Sequence, residues 1–187
     1  MGILFLPQGT RYHMGTNDQK LFAVYIGGYT EKCNTELHDV VFVVGNSIKN
    51  TYPQLFEKWF GNPKRLHIDS WCELDIVDGY RIVLLPHKSD SSQKLYFINL
   101  GAYVLGKFME FHENAFFVGS NETEVKERAI ETLCKGMTKV HKDNLYDVDD
   151  CIRIEAVNGL YIRLEPTMDK SYALPQSGYF ALPTRTI

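Results

Sequence analysis

The chain has 187 residues, a net charge of −3 and ordinary apolar and charged fractions of 44% and 23%, which fit one large globular domain or two small ones. Lys and Arg are scattered, so nucleic acid is not expected as a partner, because phosphate binding needs a concentrated basic face. No apolar run approaches the roughly 20 residues of a membrane span, so no membrane association is expected either.

Residues 1–20 read as a flexible leader rich in Gly, Asn and Gln, with Met14 an alternative start. Its apolar beginning is short and lacks the basic segment of a secretory signal. Leu21 to Ile26 is a near-continuous apolar run, which predicts a buried strand, and Gly27-Gly28 after it reads as a turn. Leu37 to Val44 is a second β-rich run ended by Gly45. A helix follows, with Asn46 or Ser47 as cap, Pro53 in its first turn, and Ile48, Tyr52, Leu55, Phe56, Trp59 and Phe60 at helical spacing. Asp78-Gly79 between two β-rich runs predicts a hairpin with a type I′ turn.

The plan is then repeated. After a polar linker at residues 87–94, Leu95 to Leu100 echoes the first strand and Phe111 to Val118 the second, at a constant offset of 74 (His112 minus His38). Ser120 or Asn121 caps a helix carrying Val125, Ala129, Ile130, Leu133 and Cys134, which stops at Gly136. Asn158-Gly159 replaces Asp78-Gly79 at an offset of 80 (Gly159 minus Gly79), and the extra residues are assigned to the acidic stretch around Asp147, Asp149 and Asp150. Residues 167–187 form an extended tail with an Ala-Leu-Pro motif used twice, held straight by Pro175 and Pro183. It reads as an arm packed on the body, and second as a dimerisation element.

The expectation is therefore an α+β protein. Repeat one spans 21–86 and repeat two 95–166. Each is a ββαββ unit, an antiparallel sheet with one helix, and the two cover each other about a pseudo-two-fold axis.

Of six histidines, four are matched between the copies, and carboxylates travel with them. Glu36-x-His38 becomes Glu110-x-His112, and His67-x-Asp69 becomes His141-x-Asp143. On strands, residues i and i+2 share a face, so each pair can hold a carboxylate against an imidazole and fix its tautomer. Glu36, His38, Glu110 and His112 are the candidates for acid–base catalysis, and His67, Asp69, His141 and Asp143 for ligand binding. The same pattern also suits hydrogen bonds that merely pin strand ends. No cofactor is implied and no metal centre is expected; were a metal held, the four matched histidines are its candidates. The four cysteines, Cys33, Cys72, Cys134 and Cys151, form no CxxC pair, so reduced thiols in a cytoplasmic protein are expected.

The segments "LFAVYIGG", "ELHDVVFVVG", "TYPQLFEKWFG-NPKRLHIDSW" and "DGYRIVL", with "KLYFINLGAY", "EFHENAFFVG" and the second hairpin, resemble the bacterial domain-of-unknown-function family 1543 over about residues 20–166. The resemblance implies a small cytoplasmic bacterial protein and no assigned activity or catalytic residues. A non-catalytic binding or interaction protein with its site near the interface of the copies is the leading expectation. A metal-dependent or acid–base hydrolase using the Glu-x-His and His-x-Asp pairs is the alternative.

Overall fold

The structure, a computed structural model, describes residues 18–103, 106–133 and 146–183. Copy one begins with β1 (Lys20–Gly28) and β2 (Leu37–Gly45). After a short 3-10 turn comes α1 (Tyr52–Lys58), then β3 (His67–Glu73) and a hairpin of β4 (Ile76–Val77) and β5 (Tyr80–Leu85). Copy two repeats the order with β6 (Lys94–Ala102), β7 (Phe111–Gly119), α2 (Glu122–Leu133), β8 (Tyr146–Ile154), β9 (Ala156–Val157) and β10 (Leu160–Pro166). The final strand is β11 (Gln176–Ala181). The fold is mixed α+β, and every described strand pairing is antiparallel.

The repeating unit is larger than the expected ββαββ. β3 is an additional strand that pairs with β1, as β8 pairs with β6. Its polar sequence, His-Ile-Asp-Ser-Trp-Cys-Glu, hides it from a search for β-branched runs. The hairpins leave their own sheets and join each other through β5 and β10, in the order β4-β5-β10-β9. Both hairpin turns take the expected type I′ form, with positive φ at Asp78 and Gly79 (51° and 75°) and at Asn158 and Gly159 (49° and 81°). The Asp78 carboxylate then accepts hydrogen bonds from the Val118 backbone N–H and from Arg128, each at 2.8 Å, which ties copy one's hairpin to copy two.

The sheet built on β1 and the sheet built on β6 face each other across a shared core. Leu21, Ala23 and Val44 meet Leu95, Phe97 and Val118 there, and Leu74, Ile82, Ile154 and Leu164 of the neighbouring segments close it. Phe42 packs edge-on to Phe97 and Phe116, with ring centroids 5.7 and 6.4 Å apart. The opposite face of each sheet is covered by its helix: Phe22, Val24 and Ile26 lie under Leu55 and Trp59, and Tyr96, Ile98 and Leu100 under Val125 and Ala129. Burial on both faces explains why β1 and β6 are apolar almost throughout, and each fully buried large side chain contributes about 1.5–3 kcal/mol.

Some helix details differ from the sequence reading. Phe60 and Ile130, placed on core faces by spacing, are 59% and 40% exposed. α1 ends at Lys58, so Phe60 lies beyond its last turn. Ser47 makes no capping bond to the following turn; its hydroxyl contacts Asn50 at 2.6 Å. In α2 the expected cap forms: Asn121 accepts from the Glu124 N–H at 3.0 Å, and Glu124 reaches back to Ser120. Cys134 and Gly136 lie outside the described residues.

The tail crosses from β10 to the first sheet and adds β11 to β3, giving the order β11-β3-β1-β2. Leu182 is buried in the core beneath α1. The tail is thus an arm on the body of its own chain, and its strand extends the sheet of copy one.

Candidate histidine–carboxylate site

Gly27 and Gly28 do not form the expected turn; they are the last two residues of β1, and Gly101 lies within β6. Their role is to leave room. Gly27 is paired with His38 on one side and His67 on the other. A Cβ there would lie 2.7 Å from Asp69 Oδ2, 2.8 Å from His67 Nε2 and 3.0 Å from the His38 ring. Gly101 sits likewise beneath Glu110 and Asp149. A glycine floor under matched imidazoles and carboxylates is a tertiary feature that turn chemistry alone does not reveal.

In copy one, four of the candidate residues converge. Each carboxylate bridges the two imidazoles, one oxygen to each. Asp69 lies 3.2 Å from His38 Nε2 and 3.3 Å from His67 Nε2, and Glu36 lies 3.9 and 3.2 Å from the same atoms. His67 is the buried member, with its side chain 3% exposed against 32% for His38. Its Nδ1 is 3.0 Å from the Arg65 carbonyl oxygen. A carbonyl only accepts, so Nδ1 carries a proton and is spoken for. The ring's Nε2 and Asp69 Oδ2 are both buried without a hydrogen-bond partner, an arrangement that costs about 1–3 kcal/mol per group when nothing else satisfies it.

Aromatic rings hold the imidazoles. Tyr25 stacks on His38 with centroids 5.0 Å apart and planes 1° from parallel, and Tyr179 of β11 lies over His67 at 4.4 Å. Burial, and then the Asp69 charge, push the Tyr25 hydroxyl above its usual pKa.

Copy two builds a related but open site. Ligand atoms of Glu110, His112 and Asp149 all lie within 4.8 Å of one another. His112 Nδ1 is 3.0 Å from the Asn99 side-chain oxygen and 3.4 Å from Asp149, and its Nε2 is 3.8 Å from Glu110. Asn99 stands where copy one has Tyr25. Beside it the Tyr103 hydroxyl has its pKa raised, chiefly by the Glu110 charge.

The expected partners His141 and Asp143 lie outside the described residues. The strand register gives their place to others: Asp147 is opposite Gly101 as His67 is opposite Gly27, and Asp149 takes the position of Asp69. The offset of 80 already applies at Asp147 (Asp147 minus His67), so the insertion precedes the acidic stretch, and that stretch is strand β8. Matching His67 to His141 followed the offset of 74, which holds through β7 and into α2 but has become 80 at β8. Asp149 is therefore a site residue that the spacing alone did not single out. Carrying the offset between the hairpin turns, 80, back along the strand would have found it.

Between the two sheets lies a cavity of about 840 Å³, lined from both copies and from the arm by Tyr25, Trp71, Phe97, His112, Phe116 and Tyr172 among others. Among the described residues no helix is long and apolar enough to cross a membrane. Cys33, Cys72 and Cys151 are free thiols, and burial pushes Cys72 up to about 11.

Comparison with known proteins supports the duplication. A family model described as Domain of Unknown Function (DUF1543) matches twice, at residues 33–84 and 107–158. The crystal structure of a protein Il1583 from Idiomarina loihiensis is similar, at 35% identity and a TM-score of 0.70, covering 89% of this chain and 99% of that one. No curated protein matches the chain. With two copies of the matched region and a solved relative of nearly the same extent, the chain belongs to the DUF1543 family.

Proposed function

We propose that the protein is a non-catalytic binding protein of the bacterial cytoplasm that seats a small aromatic molecule in the cleft between its two copies. The observation that carries this reading is the cleft itself. Its volume of about 840 Å³ falls in the range of small-molecule sites, roughly 300–1,000 Å³. Aromatic faces from Tyr25, Trp71, Phe97, Phe116 and Tyr172 supply contact area, and Ser70, His112, Asn114 and Lys170 supply a few polar groups. The cleft acid Asp78 is engaged by Arg128 at 2.8 Å. Lys170 and His112 therefore favour a ligand with an anionic or hydrogen-bond-accepting group. The unpaired thiols support a reducing compartment.

A pseudo-two-fold relation between the copies belongs to the same reading. It is supported by the β5–β10 register, which sets Val83 opposite Arg163, its own counterpart at the offset of 80. A cleft on such an axis gains walls from both units.

The position of His112 on the cleft wall, with Glu110 and Asp149 beside it, favours an acid–base hydrolase as the second reading. The two separate on one variant, because His112→Ala removes turnover in an enzyme and only weakens binding in a receptor, where Lys170 and the aromatic walls remain.

Titration with anilinonaphthalene sulfonate, an anionic aromatic probe, tests the seat through the fluorescence of probe and Trp71. Asn114 is exposed and lines the cleft, so Asn114→Trp fills it without disturbing the core. Saturable binding that falls at least tenfold in Asn114→Trp, with unchanged melting temperature, is the expected result. Equal probe binding by both proteins would remove the cleft as the seat.

A further inference from the structure

We propose that Glu36, His38, His67 and Asp69 of copy one form a centre for one divalent transition-metal ion of the zinc type, independently of what the cleft binds. The inference rests on His67. Its side chain is 97% buried (3% exposed), its Nδ1 proton is committed to the Arg65 carbonyl, and its Nε2 faces Glu36 and Asp69 at 3.2 and 3.3 Å without a hydrogen-bond partner. A protonated, ion-paired imidazole would aim an Nε2–H at a carboxylate. Both carboxylates are at contact distance, yet neither accepts such a bond.

The four side chains converge over the floor glycine. Their imidazole–carboxylate contacts, three at 3.2–3.3 Å and one at 3.9 Å, each use a different carboxylate oxygen, so a shared ion would draw one oxygen of each carboxylate inward. The charge suits such an ion: two carboxylates with two neutral imidazoles carry −2, which a dication balances. Two nitrogens with two oxygens favour zinc, cobalt or iron(II) over calcium or magnesium, which prefer all-oxygen sites. The Nδ1–H to backbone carbonyl bond is the outer-shell contact that orients a ligating histidine. Gly27 leaves space below, Tyr179 covers His67, and the half-exposed His38 is the side of entry.

Untagged full-length protein, stripped with a chelator, is titrated with Zn²⁺ by calorimetry and with Co²⁺ by visible absorption. The expected result is saturation at a single equivalent with the intense d–d bands of tetrahedral cobalt. Affinity then falls about 10- to 100-fold or more in His38→Ala and in Asp69→Asn and is unchanged in His112→Ala. Asp69→Asn keeps shape and volume, so its circular dichroism should match the parent. No saturable binding, wild-type affinity in Asp69→Asn, or loss of binding in His112→Ala would each overturn the proposal.

Discussion

The two histidine–carboxylate sites occupy the same strand positions and differ in almost everything around them. Copy one has His67 opposite its floor glycine, Tyr25 stacked on His38, and an arm that lays Tyr179 over the buried ring. Copy two has Asp147 opposite its floor glycine and Asn99 in place of Tyr25. Its described sheet stops at β8, with no fourth strand among the described residues. One framework thus holds a closed, two-imidazole site and an open, one-imidazole site. A duplicated fold can therefore keep its core faces while its surface ends diverge, because the core is fixed by packing from both sides and strand ends are not.

Removing the arm tests the first half of that contrast and should have the largest effect. Deleting residues 176–187 removes Leu182 and Tyr179, which are packed on copy one. A loss of about 2–4 kcal/mol in urea unfolding is expected from the buried apolar surface, together with easier exchange of the β3 amides and no change in those of β8. Equal exchange changes in β3 and β8 would mean that the arm does not distinguish the copies.

The floor glycines provide a smaller and sharper comparison. In Gly27→Ala the new methyl meets His67, which is locked between a carbonyl and Tyr179. In Gly101→Ala it meets Glu110 and Asp149, whose half-exposed side chains can swing away. The first should cost about 1–3 kcal/mol and the second less than about 1 kcal/mol. Equal costs from thermal unfolding would show the two sites to be equally rigid.

The smallest effect is on pH dependence and concerns β3 again. Burial raises the Cys72 thiol from 9.0 to about 11, so folding favours its neutral form. That contribution is complete below pH 9 and is lost as pH rises towards 11. Wild-type stability should therefore fall more steeply than that of Cys72→Val across this window in denaturant titrations. Parallel curves would assign the fall to other groups.

How much of this was legible in the sequence depends on which forces act locally. Asp78-Gly79 and Asn158-Gly159 announce their turns because two consecutive positive φ angles demand such residues. The apolar runs of β1 and β6 announce burial on both faces. The sheet to which a hairpin belongs is decided by packing between distant segments, so the joining of β5 to β10 had no local sign. β3 was readable only conditionally, because its polar residues serve the site and displace the β-branched pattern. Glu36, His38, His67 and Asp69 were picked out as pairs by their i, i+2 spacing. Their convergence depends on the antiparallel registers of β2 and β3 against β1, which spacing within one strand does not carry. The same registers make Asp147 and Asp149, rather than His141 and Asp143, the counterparts in copy two. The tail was readable as extended from its prolines, and its choice of β3 was not.

The most direct test of the divergence between the copies is anomalous scattering from crystals of the full chain grown with zinc, recorded on both sides of the zinc absorption edge. A single strong peak between His38 Nε2 and His67 Nε2, contacting Glu36 and Asp69, is the predicted result. A peak only at Glu110, His112 and Asp149, or peaks of equal height at both sites, would contradict it.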